Sequence, residues 1–247
     1  MLATSQEPLA VPPAVRELTE TRYPILNRPP AVRPEPVLVD AACRQQRQEI
    51  EQFIHDVFAR AWQADIHHFL PVLIGIHESN GECVAAAGLQ PAANGALYLE
   101  KYLDRPVDEI LGNMMQQKID RQRIIEAGNL AVTSRGGARH LITATLTYLY
   151  NAGYQWAVFT AVPVLINSFR KLGLPLTKLA DADPRRLGDD AAQWGDYYQS
   201  RPMVMAGHIP TGFYMLQQRK LQALHPARRR EQRECLATPL QVIHTTS

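Results

Sequence analysis

Between Arg123 and Leu174 the chain reads RIIEAGNLAVTSRGGARHLITATLTYLYNAGYQWAVFTAVPVLINSFRKLGL, and this stretch permits few folds. An apolar run with strand character, Ile124–Val132, meets a glycine turn, Arg135-Gly136-Gly137-Ala138-Arg139. A helix-period segment follows over Leu141–Asn151, then a β-rich run over Trp156–Val162, then a second helix that stops at Gly173. This order is a βαβα unit with a Gly-rich loop at the head of its first helix. The N–H groups that open such a helix have no partner within it and point outward, so the loop is a natural cradle for an anion such as phosphate.

The flanking segments set what the unit is built into. From Asp40 to Trp62 the apolar positions Ile50, Phe53, Ile54, Val57, Phe58 and Ala61 recur at helical spacing, which predicts an amphipathic helix on a core. Phe69–His77 and Cys83–Leu89 flank the turn signal Ser79-Asn80-Gly81-Glu82 and predict a hairpin. Leu97–Leu103 reads as a further short strand and Val107–Gln116 as a helix. After Gly173 the pattern predicts a strand at Pro175–Ala180, loop or short helices over Ala182–Trp194, a strand at Pro202–His208 and a helix over Gly212–Leu224. An antiparallel start feeding a βαβ crossover gives an α/β fold: a mixed, mostly antiparallel central sheet with helices on both faces.

The 247 residues, 46% hydrophobic and 20% charged, suit one globular domain with appendages. Residues 1–38 hold Pro8, Pro12, Pro13, Pro24, Pro29, Pro30, Pro34 and Pro36 and read as an extended arm; 39–225 form the domain, and 226–247 a basic tail. The formal net charge of +2 carries no signature of a nucleic-acid binder. No apolar run approaches the roughly 18–20 residues that span a bilayer, so no integral membrane segment is expected. The N-terminus lacks the pattern of a secretory signal. Cys43, Cys83 and Cys235 lie far apart and leave one unpaired, which fits a reducing, cytoplasmic setting and no metal. Oligomeric state is not legible.

The order of elements resembles the GCN5-related N-acyltransferase (GNAT) fold. In that family a central strand splits from its neighbour, and the Gly loop after it holds the pyrophosphate of an acyl donor. Gly136-x-Ala138 fits the end of the family's loop pattern, while Thr133 stands where Gln or Arg is usual. The second helix, Asn167-Ser168-Phe169-Arg170-Lys171-Leu172-Gly173-Leu174, resembles the family's closing motif, with Phe169 at the place of a proton-donating Tyr. A phenyl ring cannot donate a proton. At finer grain, over roughly 47–209, the chain resembles the bacterial thermostable hemolysin family. The resemblance rests on Phe69-Leu70-Pro71, Glu126-Ala127-Gly128-Asn129-Leu130-Ala131, Phe159-Thr160-Ala161, Leu172-Gly173-Leu174, Ala180-Asp181-Ala182-Asp183 and Trp194-Gly195-Asp196-Tyr197-Tyr198. The segment order is also similar to that of acyl-homoserine lactone synthases, in which a Glu on the strand before the donor loop is functional; Glu126 stands at that place.

These resemblances imply an acyltransferase that moves an acyl group from a CoA or acyl-carrier-protein thioester to a small amine or amino acid. Two alternatives stay open: a membrane-active hemolysin, and a silent acyl-CoA-binding module. Transfer to an amine needs a base, donors for the carbonyl oxygen and a slot that aligns the reactants. Glu126, among Ile124, Ile125, Leu130 and Val132, is the candidate base, or else the ion-pair partner of Arg123 or Arg139. Asn129 faces away from Glu126 on a regular strand, and a bulge at Gly128 brings both to one face. Backbone N–H groups over Leu130–Val132 are candidate carbonyl donors. Arg135, Gly136, Gly137, Ala138 and Arg139 are candidates for the donor's phosphates, with Thr160 and Asn167 for its pantetheine arm. His67 and His68 have no ligand partner at metal spacing and read as turn residues. Asp181 and Asp183 read most simply as caps before Pro184. Trp194, Tyr197 and Tyr198 read as a pocket wall or a core anchor.

Overall fold

The structure, a computed structural model, describes residues 35–39, 44–133 and 136–224. Most of the Pro-rich arm, Ser134 and Arg135, and the basic tail lie outside the described residues. Seven strands form one sheet in the order β1-β2-β3-β4-β5-β7-β6, where β1 is Glu35–Val39, β2 Val72–His77, β3 Cys83–Pro91, β4 Ile124–Val132, β5 Trp156–Ala161, β6 Thr177–Asp181 and β7 Met203–His208. Only β4 and β5 pair in parallel; every other neighbouring pair is antiparallel. The mixed, mostly antiparallel sheet with helices on both faces is therefore the fold that forms. Glu35–Val39 joins it as an edge strand.

The helices are α1 (Arg44–Trp62), α2 (Val107–Met115), α3 (Gly137–Asn151), α4 (Pro163–Lys171) and α5 (Ile209–Leu224). Leu141 and Leu149 of α3, Ile166 of α4 and Ile209 of α5 pack on one face, against Ile74, Ala87, Ile125, Ala127 and Phe159. On the other face two cores lie side by side. Ile50, Ile54 and Phe58 of α1 cover Leu73, Ala86 and Ala131. Leu99, Tyr102, Val107 and Leu111 cover Ile124, Val158 and Val204.

One expectation is corrected. Leu97–Leu103 carries no strand; Tyr98–Tyr102 is a 3-10 turn. Polar contacts outweigh its apolar pattern. Glu100 reaches back to accept from Leu97 N at 2.8 Å, accepts from Val107 N at 2.9 Å, and takes both Nη atoms of Arg121, at 2.7 and 2.8 Å. Arg121 also bonds Asp108 and the carbonyls of Ala92 and Gly95. One guanidinium thus ties the ends of a loop that a strand would have pulled straight.

Candidate functional site

Strand β4 is regular to Gly128 and then bulges. Gly88 pairs with Gly128 and Ala86 with Ala131, so Asn129 and Leu130 together face the single residue Ala87. Asn129 takes the extra position with φ +50°, a left-handed conformation that Asn adopts more readily than most residues. The bulge reverses the alternation of side chains. Ile125 and Ala127 face α3, and so do Leu130 and Val132; Ala131 faces α1. Asn129 thereby lines the same cleft as Glu126.

Beyond the bulge β4 and β5 part. Their pairing runs from Ile124 and Trp156 only to Ala127 and Phe159, while β5 continues along β7 to Ala161. Thr133 N–H bonds the Val84 carbonyl at 3.1 Å, so the alternation of the ladder turns the Val132 N–H toward the edge that β5 has left. Two cavities meet at this split from opposite sides, and Leu130 lines both. On the α1 side is a cleft of about 660 Å³ that holds Glu126, Asn129, Thr160 and a wall of His68, Tyr98, Tyr102, Trp194 and Tyr197. On the α3 side is an apolar pocket lined by Ile142, Leu146, Phe159, Phe169, Leu174 and Ile209 among others.

Glu126 is 4% exposed and pairs with no arginine among the described residues. Arg123 bonds the Gly153 carbonyl, and Arg139 lies exposed on α3. The Glu126 carboxylate accepts instead from Tyr98 N at 2.7 Å and Leu99 N at 3.0 Å, the two N–H groups that open the 3-10 turn. Burial pushes its pKa up to about 7; the two N–H groups oppose the rise and the charge of Glu100 adds to it. Glu100 itself is pushed up by burial, but Arg121 and the Val107 and Leu97 N–H groups outweigh that and hold it below the usual carboxylate range. The two carboxylates are thus driven apart: one stays ionised, the other is poised near neutrality to take a proton.

The Asn129 amide spans the cleft floor. Its Oδ1 accepts from Leu70 N at 3.0 Å and its Nδ2 donates to the His68 carbonyl at 3.1 Å. The glycine pair Gly88–Gly128 makes this approach feasible, since a Cβ at Gly88 would sit 2.8 Å from both Asn129 Oδ1 and Leu70 Cβ. Asn129 therefore positions the segment 63–71 that carries His68 into the cleft. The Thr160 hydroxyl is buried at the mouth of the split without a hydrogen-bond partner among the described residues.

Other expectations divide. Gly136 is the N-cap of α3, with no side-chain cap, and Gly137 is buried at the first helical position, so the opening N–H groups face outward. Ala138 is half-buried and Arg139 exposed; Arg135 lies outside the described residues. Asn167 is not brought to the cleft: it is exposed on α4, and its Oδ1 accepts from Arg170 at 3.3 Å. Phe169 stacks on Phe159 at 4.8 Å inside the apolar cavity, where an aromatic ring fits and a hydroxyl has no role. Asp183 caps the stretch after it by accepting from Arg185 N. Trp194 and Tyr197 both wall the cleft and pack on Phe58 and Trp62. The reading of His67 as having no ligand partner is corrected: its Nε2 lies 3.0 Å from Oδ1 of Asp65, two residues earlier, and the fold brings Nε2 of His55 to within 3.0 Å of the same oxygen. The roles of Tyr98, Leu99, Tyr102 and the apolar cavity have no local signal, because each depends on segments that meet only in the fold.

A family model described as thermostable hemolysin matches residues 41–213. Among solved structures the chain is similar to TofI in an apo form, with 14% identity over 71% of this chain and 91% of that one, TM-score 0.51. It is similar to the same extent to TofI in a ternary complex with an inhibitor and MTA, with a TM-score of 0.50. A CoA-dependent acyl-homoserine lactone synthase, BjaI, with SAM and isopentyl-CoA matches at 16% identity over 74% of this chain and 87% of that one, TM-score 0.48. No curated protein matches the sequence. The two TofI likenesses agree with the mixed, mostly antiparallel α/β architecture expected of the chain.

Proposed function

The chain belongs to the thermostable hemolysin family, and from that premise we propose that it is an acyltransferase that moves an acyl group from a CoA or carrier-protein thioester to a small amine or amino acid. The observation that carries this reading is the buried Glu126 carboxylate, held near neutrality beside a strand split that opens to a polar cleft on one face and an apolar cavity on the other.

In this reading the thioester lies in the split. Its acyl chain fills the cavity under Leu130, Phe159 and Phe169, which offers no charge and suits a hydrocarbon. The acceptor amine enters from the cleft, against Tyr98 and Trp194. Glu126 removes a proton from it, the nitrogen attacks the carbonyl carbon, the C–S bond breaks, and one proton returns to the thiolate. N–H groups over Leu130–Val132 stabilise the carbonyl oxygen as charge develops there. The head of α3 at Gly136 and Gly137 receives the donor's phosphates. Thr160 supplies a hydrogen bond to whichever reactant passes its hydroxyl.

The test is incubation of the purified protein with acyl-CoA and acyl-carrier-protein donors against a panel of amines and amino acids, following free thiol. Amine-dependent thiol release that falls with Glu126→Gln supports the reading. Donors left intact, or equal release by the variant, sink it. Dye release from liposomes by the protein alone, without donor, favours direct action on membranes; among the described residues no helix is long and apolar enough to cross one.

A further inference from the structure

We propose that His55, Asp65 and His67 form a site for a divalent transition-metal ion of the zinc class, which clamps α1 to the segment 63–71. The inference goes beyond acyl transfer and does not rest on it.

The geometry follows from how that segment runs. After α1 ends at Trp62, the chain extends with alternating burial: Ala64 and Ile66 are 2% and 1% exposed under α1, while Asp65 and His67 point outward. Their outward side meets His55, one face of α1 away from its buried Ile54 and Phe58. The three candidate ligand atoms all lie within 4.8 Å of one another. Both Nε2 atoms are 3.0 Å from the same oxygen, Asp65 Oδ1. Tetrahedral ligands held about 2.0–2.2 Å from an ion stand about 3.4 Å apart. The two nitrogen–oxygen pairs need to open by only a few tenths of an ångström to admit one, and the two nitrogens lie within 4.8 Å of each other.

Two nitrogens and one carboxylate oxygen are a donor set that zinc and its neighbours favour, and the exposure of Asp65 and His67 leaves a fourth position for water. A second feature prepares the site. The other ring nitrogen of His55, Nδ1, lies 3.4 Å from Asp56 Oδ1. A carboxylate there accepts from Nδ1–H and keeps holding it when an ion takes the place of the proton that Nε2 shares with Asp65, the usual outer support of a metal-bound histidine. The clamp bears on the cleft because Asn129 holds the same segment at His68 and Leu70, one and three residues beyond His67. An ion bridging α1 to Asp65 and His67 fixes the near end of the strap that Asn129 fixes at its far end.

The test uses the full chain, free of any purification tag, with Co2+ and Zn2+ as probes. Co2+ is expected to give the d–d absorption of a low-coordinate nitrogen–oxygen site, and Zn2+ to displace it in competition with a chromophoric chelator. His67→Ala and Asp65→Asn, both at strongly exposed positions that tolerate change, are expected to weaken binding by about 10- to 100-fold or more. Amide exchange over 63–68 is expected to slow on Zn2+ addition to the parent and not to the variants. Absence of the Co2+ band, or equal affinity in parent and variants, overturns the site. Binding that leaves the exchange of 63–68 unchanged overturns the clamp.

Discussion

At the scale of single residues, the proposed chemistry rests on Glu126. A base is active when deprotonated, so transfer activity is expected to rise with pH through about 7, the value to which burial pushes this carboxyl. Glu126→Gln is expected to lower kcat by about 10²- to 10⁴-fold and to flatten that limb of the pH profile. Stability runs in the opposite direction. Folded Glu126 binds its proton more tightly than unfolded Glu126, so its contribution is complete below the ordinary carboxyl value of 4.5 and is lost as pH rises through about 7. Denaturant melts across that window are expected to show the parent losing stability relative to Glu126→Gln. Thr160→Val separates binding from folding at one atom. It removes a buried hydroxyl that has no protein partner, so stability is expected to hold or rise by up to about 1 kcal/mol. The KM of the reactant that bonds this hydroxyl is expected to rise about tenfold, the worth of one ordinary hydrogen bond.

At the scale of elements, the cleft depends on segments pinned by backbone as much as by side chains. Gly195 lies between Trp194 and the Tyr197-Tyr198 pair with φ +49°, where a Cβ would overlap the Trp62 carbonyl oxygen. On either side of it, Asp196 N bonds Trp62 O and Asp65 N bonds Gln193 O, both at 2.7 Å. Gly195→Ala combines an unfavourable φ with overlap against rigid backbone, and is expected to cost about 3 kcal/mol in chemical denaturation and to loosen the aromatic wall. The hairpin, the βαβα unit and the helix on Ile50, Ile54 and Phe58 were legible because their periodicity belongs to the segment itself. The 3-10 turn at Tyr98–Tyr102 was not. Its apolar residues mimic a strand, and what turns it is Arg121, 21 residues downstream of Glu100 and adjacent only after folding.

At the scale of the whole molecule, the split sheet joins two unlike compartments. In the proposed reading, the cavity beneath it sets how long an acyl chain the protein accepts. Leu146 lines that cavity from α3, and Leu146→Trp is expected to lower kcat/KM for long-chain donors by about 10- to 100-fold while sparing short ones, as measured by thiol release across a chain-length series. A uniform loss across all lengths would mean that the chain lies elsewhere.

The sequence by itself determined the hairpin, the βαβα unit, the mixed character of the sheet and the strand that bears Glu126, because hydrophobic period and glycine turns act over a few residues. It also carried the condition for Asn129, since a bulge next to Gly128 was the way to bring that amide to the face of Glu126. Whether the bulge forms, and what Asn129 then holds, was decided in three dimensions by Leu70 seated over the Gly88–Gly128 pair. The same holds for Glu126. Its choice between an arginine partner and two backbone N–H groups was settled by which loop covers it, and that loop is held by Glu100 and Arg121. The poise of a carboxyl is a property of its surroundings, and surroundings assembled from distant segments exist only in the folded chain.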